Sequence, residues 1–124
     1  MNFIDEALQN CKTGEEFVQA MADIYSNSYV RNELNNYPKW IKDIIVMIDY
    51  DTSLQMEGLD LKTYEVEIEA MKNMGLFQEA KVLEKINEQS SNKDLEECYE
   101  NLALNNDYES FWNQVYFYVE KNIK

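Results

Sequence analysis

The chain has 124 residues, a formal net charge of −13 and no histidine. That length is enough for one domain with a real core, without disulfide or metal staples. The missing histidine excludes Ser-His-Asp and Cys-His catalysis within this chain and disfavours most zinc chemistry, while the charge opposes direct contact with nucleic acid or an anionic membrane and favours a basic partner.

Nine Tyr, five Phe and two Trp are too many for a solvated tail, so a folded globule is expected despite the charge. Three Gly and one Pro supply few turn signals, which favours helices over a many-stranded sandwich. The first residues carry no basic segment followed by an apolar one, and no run approaches the ~20 apolar residues of a membrane span. A cytoplasmic protein is the expectation. Cys11 and Cys98 fit no metal spacing and are expected as buried free thiols.

In chain order, the first expected helix runs from Asn2 to Cys11. Phe3, Ile4, Ala7, Leu8 and Cys11 form one stripe, with Asn2 at the N-cap. Thr13 and Glu16 have the spacing of a capping box, followed by a helix with Phe17, Val18, Met21, Ile24 and Tyr25 inward. Ser26 to Ser28 breaks it, and Tyr29 to Leu34 suggests a short helical segment. Pro38 marks the clearest helix start, at the first helical position, where its missing N–H costs nothing. Trp40, Ile41, Ile44, Ile45 and Ile48 wrap more than one face, so this helix is expected to be central and to run to about Ile48.

Asp60 is the expected N-cap of the next helix, with Leu61, Tyr64, Ile68, Met71 and Met74 inward. Gly75 is expected just past its end, and the pattern resumes with Phe77, Ala80, Leu83 and Ile86, so that the two helices form an antiparallel pair with a tight turn. Asn92 or Asp94 would cap a helix with Leu95, Cys98, Tyr99 and Leu102 inside. Leu104 to Asp107 interrupts the pattern. A last helix carries Tyr108, Phe111, Trp112, Val115, Tyr116, Val119 and Ile123. Its aromatics suit a core helix or, with Phe117 and Tyr118 widening the apolar surface, a partly exposed interface such as a homodimer face.

Two segments carry most of the charge. Residues 49–69 hold seven acids and one base, and residues 94–109 hold six acids and no base, so each contributes −6. The first begins with the sharpest local pattern, residues 49–60, where oxygen-bearing side chains stand at positions 1, 3, 5, 9 and 12 of a calcium loop. Leu54 occupies the position where that loop's turn needs glycine, and Asp60 replaces the bidentate glutamate. The readings are a degenerate calcium-binding helix-loop-helix module, a capped helix connection, and a partner-facing acidic loop. Asp49 and Asp51 are also the nearest approach to a paired-carboxylate hydrolytic site, but no pocket signature accompanies them. The isolated glycines make no phosphate loop.

From Tyr37 to Ile123 the chain resembles the bacterial DNA-mimic protein family, a small all-helical family of otherwise unassigned domains. The likeness rests on Tyr64-Glu-Val-Glu-Ile-Glu-Ala-Met-Lys-Asn-Met-Gly75, on Leu76-Phe-Gln-Glu-Ala-Lys-Val-Leu83, and on Asn106-Asp-Tyr-Glu-Ser-Phe-Trp112 with Tyr118-Val-Glu-Lys-Asn122. The family's Asn-Gly-Gly-Phe segment is replaced by Leu54-Gln-Met-Glu-Gly58-Leu59, with a single glycine and no aromatic. The resemblance implies an all-helical fold, dimerisation, and a role as an acidic decoy for a DNA-binding protein. In size and charge the chain is also similar to immunity and antitoxin proteins that cover basic toxin surfaces.

The expectation is one all-α domain over residues 1–124, with six to eight helices. It is read as a non-enzymatic interaction protein without a cofactor, whose partner is a basic protein (a DNA-binding protein or a toxin). Asp49, Asp51, Glu57, Glu65, Glu69, Glu96, Glu97 and Glu100 are the candidate partner-binding residues.

Overall fold

In a computed structural model, which describes residues 2–123, the chain forms eight α-helices and two 3₁₀ segments, and no strand among the described residues. The all-α class stands, and the number of helical segments slightly exceeds the six to eight expected. They are α1 (Phe3–Asn10), α2 (Gly14–Met21), 3₁₀ segments at Ala22–Tyr25 and Ser28–Asn36, α3 (Lys39–Glu57), α4 (Glu65–Met74), α5 (Phe77–Glu84), α6 (Asn92–Asn101), α7 (Ala103–Asn106) and α8 (Tyr108–Ile123). Among the described residues no helix is long and apolar enough to cross a membrane.

The helix starts follow local chemistry. Asn2 accepts from the Ile4 and Asp5 N–H groups while Asp5 reaches back to the Asn2 N–H, a reciprocal capping box. Thr13 accepts from the Glu16 N–H. For α6 the cap is Ser91, not Asn92 or Asp94, and Asp94 completes its box. Pro38 sits one residue before the helix, with an extended ψ. Gly75 has φ +85° and closes α4 with two bonds, its own N–H toward Lys72 and the Leu76 N–H to the Met71 carbonyl at 2.8 Å. This is the Schellman pattern, which requires a left-handed residue.

α3 corrects the sequence reading. It runs nine residues past Ile48, to Glu57, because Tyr50 and Leu54 continue its buried face and no glycine intervenes before Gly58, at φ +73°. Asp60 caps nothing: α4 begins only at Glu65, and Asp60 instead donates its N–H to the Tyr64 hydroxyl. Leu61 is exposed, and so is Phe77, because Leu76, just before α5, and Ala80 and Leu83 within it turn inward instead. Leu104 to Asn106, read as a break, lies in the short helix α7. Cys98 is buried as expected, Cys11 is half-buried, and both are free.

One apolar cluster joins all of these helices. α3 runs through it, packed on α2, α4 and α8, with Ile41, Ile44 and Met47 fully buried. α8 crosses α2 closely enough that Gly14 lies against the Tyr116 carbonyl, and the Gly14 N–H donates to Glu120 at 3.2 Å. α4 and α6 each pack on α5.

Two carboxylates are buried in this core, and both are satisfied by other elements. Asp43 of α3 accepts from Asn73 of α4 and from the Tyr118 hydroxyl of α8, each at 3.2 Å. Burial, with Asp43 beside it, pushes the Tyr118 phenol up to about 12. Glu79 of α5 accepts from the Ala103 N–H at 2.6 Å, the Leu104 N–H at 3.3 Å and the Tyr50 hydroxyl at 3.1 Å. Its carboxylate is thereby the N-terminal cap of α7, supplied from another helix.

Burial holds the Glu79 carboxyl above its ordinary value of 4.5, and its three donors only partly offset this. The native state therefore keeps this proton at pH values where the unfolded chain has released it, and this group's share of stability falls as pH rises above 4.5. Glu79→Gln is expected to flatten that dependence in urea unfolding curves measured across pH. Glu79→Ala leaves two N–H groups and a phenol without their acceptor and is expected to lower stability by about 3 kcal/mol or more. Gly14→Ala is expected to cost about 1–3 kcal/mol by the same assay, since a methyl group meets the Tyr116 backbone.

Candidate protein-interaction surface

The eight candidate carboxylates do not form one surface. Asp49 and Asp51 lie on α3, not in a loop. Residues two apart on a helix point to different sides, so these acids diverge where a calcium loop would converge them. Asp49 receives the Arg31 guanidinium bidentately, at 2.9 Å to each oxygen, and the Tyr25 hydroxyl at 2.6 Å. Asp51 accepts from the Tyr108 hydroxyl at 2.8 Å. The calcium-loop reading is overturned, because residues 49–57 are helical. Among the described residues no group of three or more acid or cysteine side chains is placed to hold a metal ion.

The remaining acids divide by compensation. Glu69 is bridged to Lys39 at 2.8 Å, and this bond lowers its pKa while raising that of the lysine. Glu67, two residues earlier and on another side of α4, pairs with Lys62 at 3.5 Å. Glu57 and Glu65 are exposed and without an ion pair among the described residues, as are Glu96, Glu97 and Glu100 of α6. On α6, Leu95 and Cys98 face the protein and the three glutamates face solvent.

The α6 acids sit where they weaken their own helix. Glu96 and Glu100 are one turn apart with like charge, which costs a few tenths of a kcal/mol. Glu97 and Glu100 lie in its C-terminal half, toward the end where the dipole favours cations, and no base stands in the last turn. Four of the seven acids of the first segment are thus matched by the protein's own cations or hydroxyls, whereas no acid of the second segment has such a partner among the described residues.

The structure adds a cleft that the sequence reading missed. It has a volume of about 370 Å³ and lies between α2, the 3₁₀ segment after it, α3 and α8. Val18, Ala22 and Ile48 line it together with the aromatic rings of Tyr25, Tyr108, Trp112 and Tyr116, and Asp51 stands among them. Trp112 stacks with Tyr116, ring centroids 6.3 Å apart, and meets Phe111 edge-on at 5.5 Å. Trp112 is 7% exposed and its Nε1–H has no hydrogen-bond partner among the described residues. The Tyr108 hydroxyl is its nearby polar neighbour: burial and then the bond to Asp51 raise the Tyr108 pKa, and the indole N–H lowers it in part, too far or too bent for a full hydrogen bond. Tyr108, Trp112 and Tyr116 recur every four residues, the spacing that read as a core stripe. Only the half-exposure of Tyr25 and Tyr108 distinguishes a cleft wall from a core face.

Compared with known proteins, the chain matches no family model, no curated protein and no solved structure.

Asp49→Asn is expected to cost no more than about 1 kcal/mol, because the Arg31 pair is more than a third exposed and screened. Calorimetric titration with millimolar calcium is expected to give no binding heat with either the parent chain or the variant.

Proposed function

We propose that this protein is a non-enzymatic interaction protein whose acidic surface engages a basic surface on another protein, in the manner of a nucleic-acid mimic. The observation that carries the reading is α6, which presents Glu96, Glu97 and Glu100 to solvent without an ion pair among the described residues, against its own helical stability. Acids one helical turn apart lie ~6 Å from each other along the axis, whereas a DNA strand places a phosphate every ~3.4 Å. One helix therefore offers a sparser row than one strand, and basic side chains on long stems span the difference.

Composition supports the same reading, since −13 over 124 residues attracts cations and repels polyanions. The resemblance to DNA-mimic proteins favours a DNA-binding protein as the partner. Glu96, Glu97 and Glu100 form the main contact row, with Glu57 and Glu65 as further free acids. Asp49 and Glu69 contribute less, because each has its own cation.

Affinity capture from host lysate at low and high salt tests this. A basic protein is expected to be retained at low salt and released at high salt. The triple variant Glu96→Lys, Glu97→Lys, Glu100→Lys is expected to retain none of it. A complex that survives all three reversals, at unchanged salt dependence, overturns the proposal.

A further inference from the structure

The cleft beside Asp51 has a chemistry that the acidic surface alone does not need. Its wall is aromatic, and its carboxylate has no ion pair among the described residues. Asp51 accepts from Tyr108 at 2.8 Å and from Gln55 at 3.3 Å, which leaves lone-pair sites free on a carboxylate that offers about four. An anion is opposed by Asp51. An apolar plug leaves Asp51 unmatched, and a small, strongly hydrated cation gains less from the rings than a planar, weakly hydrated one.

We infer that this cleft takes an arginine side chain of the protein partner, its guanidinium against Asp51 and the tyrosine rings. The inference rests on the proposed binding of a basic protein and names the residue type that anchors it. A guanidinium is planar, weakly hydrated and able to meet a carboxylate and an aromatic face together, which an ammonium does less well. The fold already contains that arrangement once. Arg31 grips Asp49 through both nitrogens, with its Cζ 5.6 Å from the centre of the Tyr25 ring, and Tyr25 also lines the cleft. The volume of about 370 Å³ falls at the small end of the ~300–1,000 Å³ of ligand pockets, as suits one long side chain with its peptide group. Arginine and tyrosine are also among the residues enriched at the energetic centres of interfaces.

The chain has two tryptophans, so its indole N–H signals number two, and Trp40, packed on Phe17, serves as an internal control. Full-length protein labelled with nitrogen-15 is titrated with the capped peptide Gly-Arg-Gly and with counterparts carrying lysine or the neutral isostere citrulline. Trp112→Phe assigns the signals. The arginine peptide is expected to move the Trp112 signal saturably, to leave Trp40 in place, and to bind about tenfold more tightly than the citrulline peptide. Lysine is expected to fall between them. Asp51→Asn and, at the exposed rim, Tyr25→Ala are each expected to weaken the arginine peptide about tenfold. No saturable shift, or equal affinity for arginine and citrulline, overturns the inference. The α6 triple reversal is expected to leave this titration unchanged, which separates the two failures. A flat titration with capture still dependent on α6 strikes the cleft alone. A normal titration with α6-independent capture strikes the acidic row alone.

Discussion

A carboxylate removed from water must receive donors from elsewhere in the chain, and Glu79 shows how far that requirement organises this fold. Its two oxygens hold the first N–H groups of α7 and the hydroxyl of Tyr50, so α3, α5 and α7 meet at one side chain. A four-residue helix has little stability of its own, since nucleation is unfavourable and few bonds follow it. With Glu79 as its cap, α7 fixes the chain between α6 and α8, and so the direction in which α8 returns across α2. Asp43 acts in the same way at the other end of α3, joining α4 to α8. Both carboxylates face the core, and neither belongs to the acidic surface.

The net charge of −13 therefore has three unlike parts. Two acids are structural and buried. Several more, including Asp49, Glu67 and Glu69, answer the protein's own Arg31, Lys62 and Lys39. The remainder, which includes every acid of α6, has no ion pair among the described residues. Solubility alone would be served equally well by acids at helix N-termini, where the dipole favours them, as Asp5 and Glu15 illustrate. Placing Glu97 and Glu100 in the C-terminal half of α6 gives up a little stability for a denser row of charge, a placement that an external cation would explain.

Much of the helical framework was legible in sequence because it rests on local chemistry. Asn2, Thr13 and Gly75 act where capping rules place them, and most of the stripes after Thr13 and on α8 point inward as their spacing demands, with Tyr25 and Tyr108, both half-exposed, as the exceptions. The misreadings arise where a local signal competes with a tertiary one. Residues 49–60 offered oxygens at loop spacing, but burial of Tyr50 and Leu54 carried the helix on to Glu57. Asp60 had the right chemistry for a cap, but Tyr64 takes its backbone N–H, and α4 starts later. Glu79 gave no sign of burial: an acid on a short amphipathic helix reads as solvated, and its role depends on an N-terminus 24 residues away. The candidate acids were legible as residues but not as a surface, since sequence spacing does not say which lysine or arginine will fold back upon each.

The helical geometry of α3 also sets what its acids can recognise. In a loop, Asp49 and Asp51 would have converged on one small hard cation, whereas on a helix they face apart, each with an aromatic partner. Asp49 has Tyr25 and Arg31. Asp51 has Tyr108 and lines the cleft that holds Trp112, and no guanidinium of this chain reaches it. The two carboxylates thus sit in like surroundings, one filled by an internal arginine and the other open. A site built from aromatic faces and a single carboxylate selects a large, weakly hydrated cation over a small, strongly hydrated one, because the rings replace little of the hydration that a small ion gives up. The same extension of α3 that rules out a calcium loop therefore leaves Asp51 suited to a guanidinium.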